Sequence, residues 1–137
     1  MTVKAKLNTK IKIGSYPFEV IFTDNIKTFN KWCKKLGFKE SEDEYGGLCL
    51  FDKDSLLFVV FIKENNFFIL MHELQHLLIY LFNHIGHDIT PNGSEPVCYF
   101  IDDMVRKAVE AYGFKITRPK PRKIIKRKIK NEITTSA

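Results

Sequence analysis

Residues 66 to 86 of the chain read Asn66-Phe-Phe-Ile-Leu-Met-His-Glu-Leu-Gln-His-Leu-Leu-Ile-Tyr-Leu-Phe-Asn-His-Ile-Gly86. Asn65 or Asn66 suits the N-cap of a helix, because its side-chain oxygen can accept hydrogen bonds from the first free backbone N–H groups. Gly86 suits the helix C-terminus, where a left-handed backbone is common. The residues between are apolar nearly all round, which predicts a central helix that protein covers on several sides.

Four polar residues interrupt the middle of this helix, namely His72, Glu73, Gln75 and His76. Histidines four positions apart share one helical face, so both imidazoles can reach one zinc ion (Zn²⁺) while Glu73 lies beside them as general base. Burying an unpaired carboxylate and two imidazoles would be costly, and a metal ion would give all three a partner. The alternative is a chance match in which the two histidines bond only to each other.

A catalytic zinc ion needs three protein ligands and one open position for water. Glu95 is the candidate for the third ligand, since it lies nineteen residues after His76 at the predicted start of another helix. Its competitors are His84, His87 and Asp88. The alternative for Glu95 is an acidic residue that the helix dipole favours at an N-terminus. Phe82 stands where the metzincin pattern has its third histidine, which excludes that pattern.

The last helix is predicted from Ser94 to Gly113 by apolar residues at helical spacing. Tyr99 lies one turn after Glu95 on the same face of this helix. Its hydroxyl could stabilise a developing oxyanion as a catalytic group, and the alternative is a tyrosine that only fills the core.

The first half of the chain predicts a small scaffold of strands with one helix. The predicted elements are strands at 10–13, 18–23, 48–52 and 56–63 and a helix from Asp24 or Asn25 to Leu36. Turn residues join the first two strands into a hairpin and the last two into a second hairpin or an edge pair, and residues 40–47 form an acidic loop that ends in two glycines. The predicted fold class is α+β, a small, mainly antiparallel sheet packed against the helix of residues 66 to 86 and a C-terminal helix.

Composition limits the class of protein. The chain has 137 residues, of which 45% are hydrophobic, and fits one folded domain. Its three cysteines are odd in number and form no Cys-x-x-Cys pair, which favours a reducing compartment. The first residues lack the apolar run of a secretory signal, and the long apolar segment carries too many polar residues to span a membrane. These features predict a cytoplasmic protein that does not enter the membrane.

The net charge of +6 is unevenly distributed along the chain. Residues 115–137 carry nine basic residues and one acid, whereas residues 1–114 carry thirteen bases and fifteen acids. We therefore expect a domain over residues 1–117 and a basic, extended tail over residues 118–137. Residues 118–130 could bind nucleic acid weakly by releasing phosphate counterions, or they could serve only as a solubilising terminus.

The run from His72 to His76, followed by Gly86 and then by Ser94-Glu-Pro-Val-Cys-Tyr99, resembles the small zincin-like metallopeptidases encoded in bacteriophage and prophage genomes. The resemblance covers residues 45 to 112 and implies a minimal zincin-like fold. It also implies His72 and His76 as ligands, Glu73 as general base and Glu95 as third ligand. Two positions depart from the pattern: Leu77 replaces the small residue that often follows the second histidine, and Tyr99 replaces an aspartate.

The function that the resemblance implies is a zinc-dependent hydrolase, a phage-type metallopeptidase that acts on a peptide or protein substrate. An alternative from another class is a phage structural or interaction protein that retains the fold, with the basic tail binding nucleic acid or a virion component. A third alternative is a nucleic-acid-associated protease in which tail and site act together. These alternatives place the protein in the host cytoplasm or with the virion, and they leave the substrate and oligomeric state open.

Overall fold

The protein, seen in a computed structural model, is described here over residues 4–14, 16–41, 46–86 and 94–115. The elements in chain order are β1 (Lys10–Lys12), β2 (Glu19–Thr23), α1 (Ile26–Leu36), β3 (Gly47–Asp52), β4 (Leu57–Ile62), α2 (Phe67–Ile85) and α3 (Ser94–Tyr112). The predicted α+β class is confirmed, and each predicted strand and helix is present with small shifts at its ends. The predicted tail, residues 118–137, lies outside the described residues.

The four strands form one mixed sheet in the order β1-β2-β4-β3. Both predicted hairpins are confirmed, since β1 pairs antiparallel with β2 and β3 pairs antiparallel with β4. A parallel pairing of β2 with β4 joins them and sets Ile21 opposite Val59. Parallel neighbours need a long crossover connection, which α1 and β3 supply here. This order leaves β1 and β3 as the two edges of the sheet.

Helices cover both faces of the sheet, and every residue of β4 is therefore buried. On one face α1 packs its buried Phe29 and Cys33 against the sheet. On the other face α2 lies over β3 and β4, and α3 lies over β2. A strand covered on both faces has a continuous apolar sequence, as the run Leu57–Ile62 does.

Within the described ranges, none of the helices combines the length and the apolar character that a membrane crossing needs.

Helix α2 begins and ends as its sequence predicts. The side chain of Asn66 accepts hydrogen bonds from the backbone of Phe68 and Ile69, and Gly86 ends the helix in the left-handed conformation at φ 65°. Four fully buried leucines, spaced along one face, attach the helix to the sheet. They are Leu70, Leu74, Leu77 and Leu81.

The prediction that protein covers α2 on several sides is wrong for its outer face. This face is exposed and consists of Phe68, His72, Gln75, His76 and Ile79. The physical reason is the position of α2 near the β3 edge of the sheet, because no described element lies beyond that edge. Of the three candidate metal-site residues, His72 and His76 are exposed and Glu73 is buried.

Candidate metal centre

Helix α2 brings the two imidazoles of the motif together. The Nε2 atoms of His72 and His76 lie 3.2 Å apart, and the ring planes stand at 81° to each other. Two nitrogens bound to one tetrahedral zinc ion at 2.0–2.1 Å would lie about 3.3–3.4 Å apart. The pair therefore has the spacing of two ligands to one zinc ion. The same spacing also suits one N–H···N hydrogen bond between neutral imidazoles.

The carboxylate of Glu73 completes a compact group of donors. One ligand atom each from His72, Glu73 and His76 lies within 4.8 Å of the others. Glu73 is only 5% exposed, and this burial raises the pKa of its carboxyl group above the ordinary value. The neighbouring His76 and His72 act in the opposite direction and lower that pKa. A carboxyl group with a raised pKa holds a proton more readily than an ordinary carboxyl group does.

The close approach of Gly47 fixes the position of Glu73. A Cβ atom added to Gly47 would lie 2.9 Å from Cγ of Glu73 and 2.8 Å from Cγ2 of Ile69. These distances are shorter than real Cβ contacts, so glycine alone lets β3 pass this close to α2. The sequence predicts Gly47 only as the end of a loop, with no role in the site. A glycine pair beside a strand is an ordinary turn signal, and the contact with α2 is not local in sequence.

A shallow surface pocket of about 270 Å³ contains the three donors. One wall is α2, and the other is the start of the edge strand β3, which contributes Gly47, Leu48 and Cys49. Burial and the nearby charge of Glu73 raise the pKa of the Cys49 thiol. This thiol therefore stays protonated at neutral pH and lines the pocket as a neutral group.

Tyr80 is a second residue of this pocket that the sequence analysis did not single out. Its ring is nearly parallel to that of His76, with centroids 6.4 Å apart, and also to that of Phe51 at 6.3 Å. The signal was present in the sequence, because His72, His76 and Tyr80 follow one another at intervals of four on one helix.

The other predicted site residues lie apart from this group. Glu95 is exposed in the first turn of α3 and is not among the donors that lie within 4.8 Å of one another. Tyr99 is 70% exposed and lines a different pocket, together with Gly14, Tyr16, Pro96 and Phe100. The roles of Glu95 as third ligand and of Tyr99 as oxyanion stabiliser stay predictions.

Of the competitors for the third ligand, His84 can be located in the structure. Its ring contacts those of Phe18 and Phe51 edge-on, at centroid distances of 5.9 and 5.4 Å. His87 and Asp88 lie outside the described residues.

No protein-family model, no curated protein and no solved structure matches this chain. The structure shows an HExxH-like arrangement of His72, Glu73 and His76 on helix α2, a group that could hold a metal ion. Beyond this group, the resemblance to phage-encoded metallopeptidases stays a prediction.

Proposed function

We propose that the protein is a zinc-dependent hydrolase, and specifically a metallopeptidase, in which His72 and His76 hold the metal ion. The observation that carries this proposal is the convergence of the two Nε2 atoms at 3.2 Å beside the buried carboxylate of Glu73. Two imidazoles with an adjacent carboxylate are a donor set that suits zinc. A bound zinc ion supplies Lewis-acid polarisation of a carbonyl group and makes water acidic enough to lose a proton near neutral pH.

Glu73 is the proposed general base of the reaction. Its carboxylate takes a proton from the attacking water as the water oxygen bonds to the carbonyl carbon of the substrate. It then delivers that proton to the leaving nitrogen as the C–N bond breaks, so the products are a free carboxyl group and an amine. The burial that raises its pKa helps it to hold the proton between these two steps. Gly47 keeps the carboxylate in place against β3.

The position of the site beside β3 supports a peptide or protein substrate. Among the described strands β3 pairs only with β4, so its outer side has free backbone donors and acceptors along the run Gly47–Asp52. An extended peptide can add to such an edge through main-chain hydrogen bonds, which would place a peptide bond near the donors. Glu95 remains our proposed third ligand, because the described group leaves one ligand position unassigned once Glu73 acts as base.

The first test measures zinc and peptide cleavage in the same preparations. The wild-type chain should bind about one zinc ion, and a variant with both His72→Ala and His76→Ala should bind none. Glu73→Gln should keep the metal but lower the rate of peptide cleavage by roughly 10²- to 10⁴-fold, because it removes only the base. Glu64→Gln, an exposed acid just before α2, is the matched control and should behave as wild type.

Two results would reject the proposal. Full zinc occupancy in the double histidine variant would show that the metal binds elsewhere. Wild-type cleavage by Glu73→Gln would show that another group acts as base.

A second candidate is an interaction protein that retains this fold without catalysis. The observation that favours it is the exposed apolar side chains on the outer face of α2, since Phe68 is 84% and Ile79 is 65% exposed. Exposed apolar residues on one helical face are typical of a protein-binding surface. If this candidate function is correct, the wild type should cleave no peptide. Phe68→Ser combined with Ile79→Ser should then weaken partner binding, whereas Glu73→Gln should not.

A further inference from the structure

The edge of the sheet opposite the metal centre carries a basic groove. It lies between α3 and the segment that leads into β1, and its volume is about 400 Å³. Six basic residues and one acid, Glu110, line it. The basic residues are Lys4, Lys6, Lys10, Lys12, Arg106 and Lys107. We call this site the β1 groove.

The carboxylates near the β1 groove are engaged in holding its walls together. Glu110 accepts a hydrogen bond from the backbone N–H of Ala5 at 3.0 Å. Asp103 accepts one from the backbone N–H of Gly14 at 2.7 Å and forms ion pairs with Arg106 and Lys107 at 2.6 and 2.8 Å.

Lys4, Lys6 and Lys12 therefore keep their charges available. Within the described part of the chain, no carboxylate pairs with any of the three. All three are exposed.

The backbone that carries these lysines is fixed. The N–H of Asn8 donates to the carbonyl of Phe22 at 2.8 Å, and the ammonium group of Lys107 donates to the carbonyl of Lys12 at 2.6 Å. Alternate residues of a strand point to the same side and lie about 6.6–6.8 Å apart, so Lys10 and Lys12 present a spaced pair of charges on the side of β1 where Lys10 lies over Trp32 of α1. The backbone positions of the lysines are thus set before a ligand arrives.

The basic surface continues round the edge of the sheet to α1. The ammonium groups of Lys10 and Lys35 both lie over the ring of Trp32, at 5.9 and 4.8 Å from its centroid. Residues 1–41 carry nine lysines and three acids, whereas residues 42–114 carry four bases and twelve acids. The near-neutral total for residues 1–114 therefore hides a strong separation of charge.

We propose that the β1 groove binds the phosphate backbone of nucleic acid. Spaced lysines on a fixed backbone neutralise successive phosphates and release their counterions, which gives affinity without sequence preference. A membrane surface fits less well, because surface-bound proteins insert apolar side chains between lipids. The large apolar residues that are exposed in the described structure do not line the groove. The inference does not depend on the metal centre. The β1 groove is a basic region separate from the predicted basic tail.

The test compares three full-length variants that each lose three positive charges. The groove variant has Lys4→Gln, Lys6→Gln and Lys12→Gln. The tail variant has Arg118→Gln, Lys120→Gln and Arg122→Gln. The control has Lys39→Gln, Lys53→Gln and Lys63→Gln, which are exposed residues outside the groove. Binding to a mixed-sequence DNA duplex of about 20 base pairs is measured by fluorescence anisotropy at about 50 and 200 mM salt.

The groove variant should bind DNA at least about tenfold more weakly than the control variant at the lower salt concentration. Its salt dependence, the slope of log K against log salt, should fall by about 2 to 3, or roughly 0.9 for each lost phosphate contact. Replacing the same three lysines by arginine should retain binding, because arginine keeps the charge. Glu73→Gln should bind DNA as wild type does.

Three outcomes would overturn the proposal. In the first, the groove and control variants bind DNA equally well, whether or not the tail variant is weakened. In the second, the wild type fails to bind DNA at the lower salt concentration. In the third, the wild type binds vesicles that contain phosphatidylserine but not DNA, which would assign the groove to an anionic membrane. Melting temperatures of the groove and control variants should match, since none of their replaced lysines has a carboxylate partner in the described structure.

Discussion

Each edge of the sheet consists of one strand beside one helix, but the two edge strands differ in charge. At one edge β1 has the sequence Lys10-Ile-Lys12 and lies beside α3, and at the other β3 has the sequence Gly47-Leu-Cys-Leu-Phe-Asp52 and lies beside α2. Lysines on an edge strand discourage pairing with another strand, because the pairing would bury their charges. Only the last residue of β3 is charged, so β3 lacks this protection along most of its length.

This difference suggests a separate use for each edge. An edge strand that is uncharged up to its last residue is open to an extended peptide, and the candidate metal donors stand beside the start of β3. The β1 edge rejects strand pairing but attracts phosphate groups. A simpler account of the β1 lysines is that they only prevent aggregation. The DNA-binding comparison separates the two accounts, because protection alone requires no groove affinity.

The largest effect is expected at Glu95, the proposed third zinc ligand. Glu95→Ala should weaken zinc binding by more than about 100-fold, since even outer-shell partners of a zinc site contribute 10- to 100-fold. Zinc affinity is measured by competition with a chromophoric chelator. Alanine at His84, His87 or Asp88 should leave affinity near the wild-type value. Wild-type affinity in Glu95→Ala, together with a loss in one of the other three, would assign the ligand to that residue.

A smaller effect is expected where β3 meets Glu73, the proposed general base. Gly47→Ala would force Glu73 and Ile69 to move, because the new Cβ would lie within 3 Å of both. We expect peptide cleavage to fall roughly 10- to 100-fold, as misplacement by about 1 Å can do. Overpacking should also lower the free energy of unfolding by about 1–3 kcal/mol.

Gly46→Ala is the matched control for this substitution. Its Cβ would lie 3.3 Å from the end of the Ile69 side chain, which can rotate away. This variant should stay near wild type in both cleavage and stability. If Gly47→Ala had the stability of Gly46→Ala and cleaved at the same rate, the contact would not position Glu73.

The elements of this fold could be predicted because local signals mark their ends. Asn25 and Asn66 cap helices through their side chains, and Gly37 and Gly86 end them with positive φ angles. The parallel pairing of β2 with β4 could not be predicted in the same way. It joins strands that are far apart in the sequence, and no turn residue records it.

The candidate site shows the same division between local and distant contacts. The approach of His72 to His76 follows from their spacing on one helix. The role of Gly47 and the open outer face of α2 depend on where α2 lies on the sheet, which its own sequence does not specify. The β1 groove could not be predicted from the distribution of charge along the chain, because the fold brings lysines from residues 4–12 beside two basic residues of α3.

The smallest effect is expected at the β1 edge, where Asp103 of α3 accepts a hydrogen bond from Gly14, just after β1. Burial alone raises the pKa of Asp103, but hydrogen bonds from Lys107, the Gly14 N–H and Arg106 outweigh it and lower the pKa to about 2. Because this value lies below the ordinary 3.8, the carboxylate stabilises the fold above about pH 4. That contribution is lost as the pH falls towards 2.

Asp103→Asn should therefore lower the free energy of unfolding at neutral pH by about 1–2 kcal/mol, allowing for screening by solvent near the surface. The difference from wild type should shrink as the pH falls below about 4 and disappear below about pH 2, because the wild-type carboxyl group is then protonated. Urea unfolding at a series of pH values measures both quantities. Asp102→Asn, the exposed neighbour without an ion pair in the described structure, should change little at any pH. A constant difference between Asp103→Asn and wild type across this pH range would show that the carboxylate charge does not hold the edge, and that packing or amide geometry does.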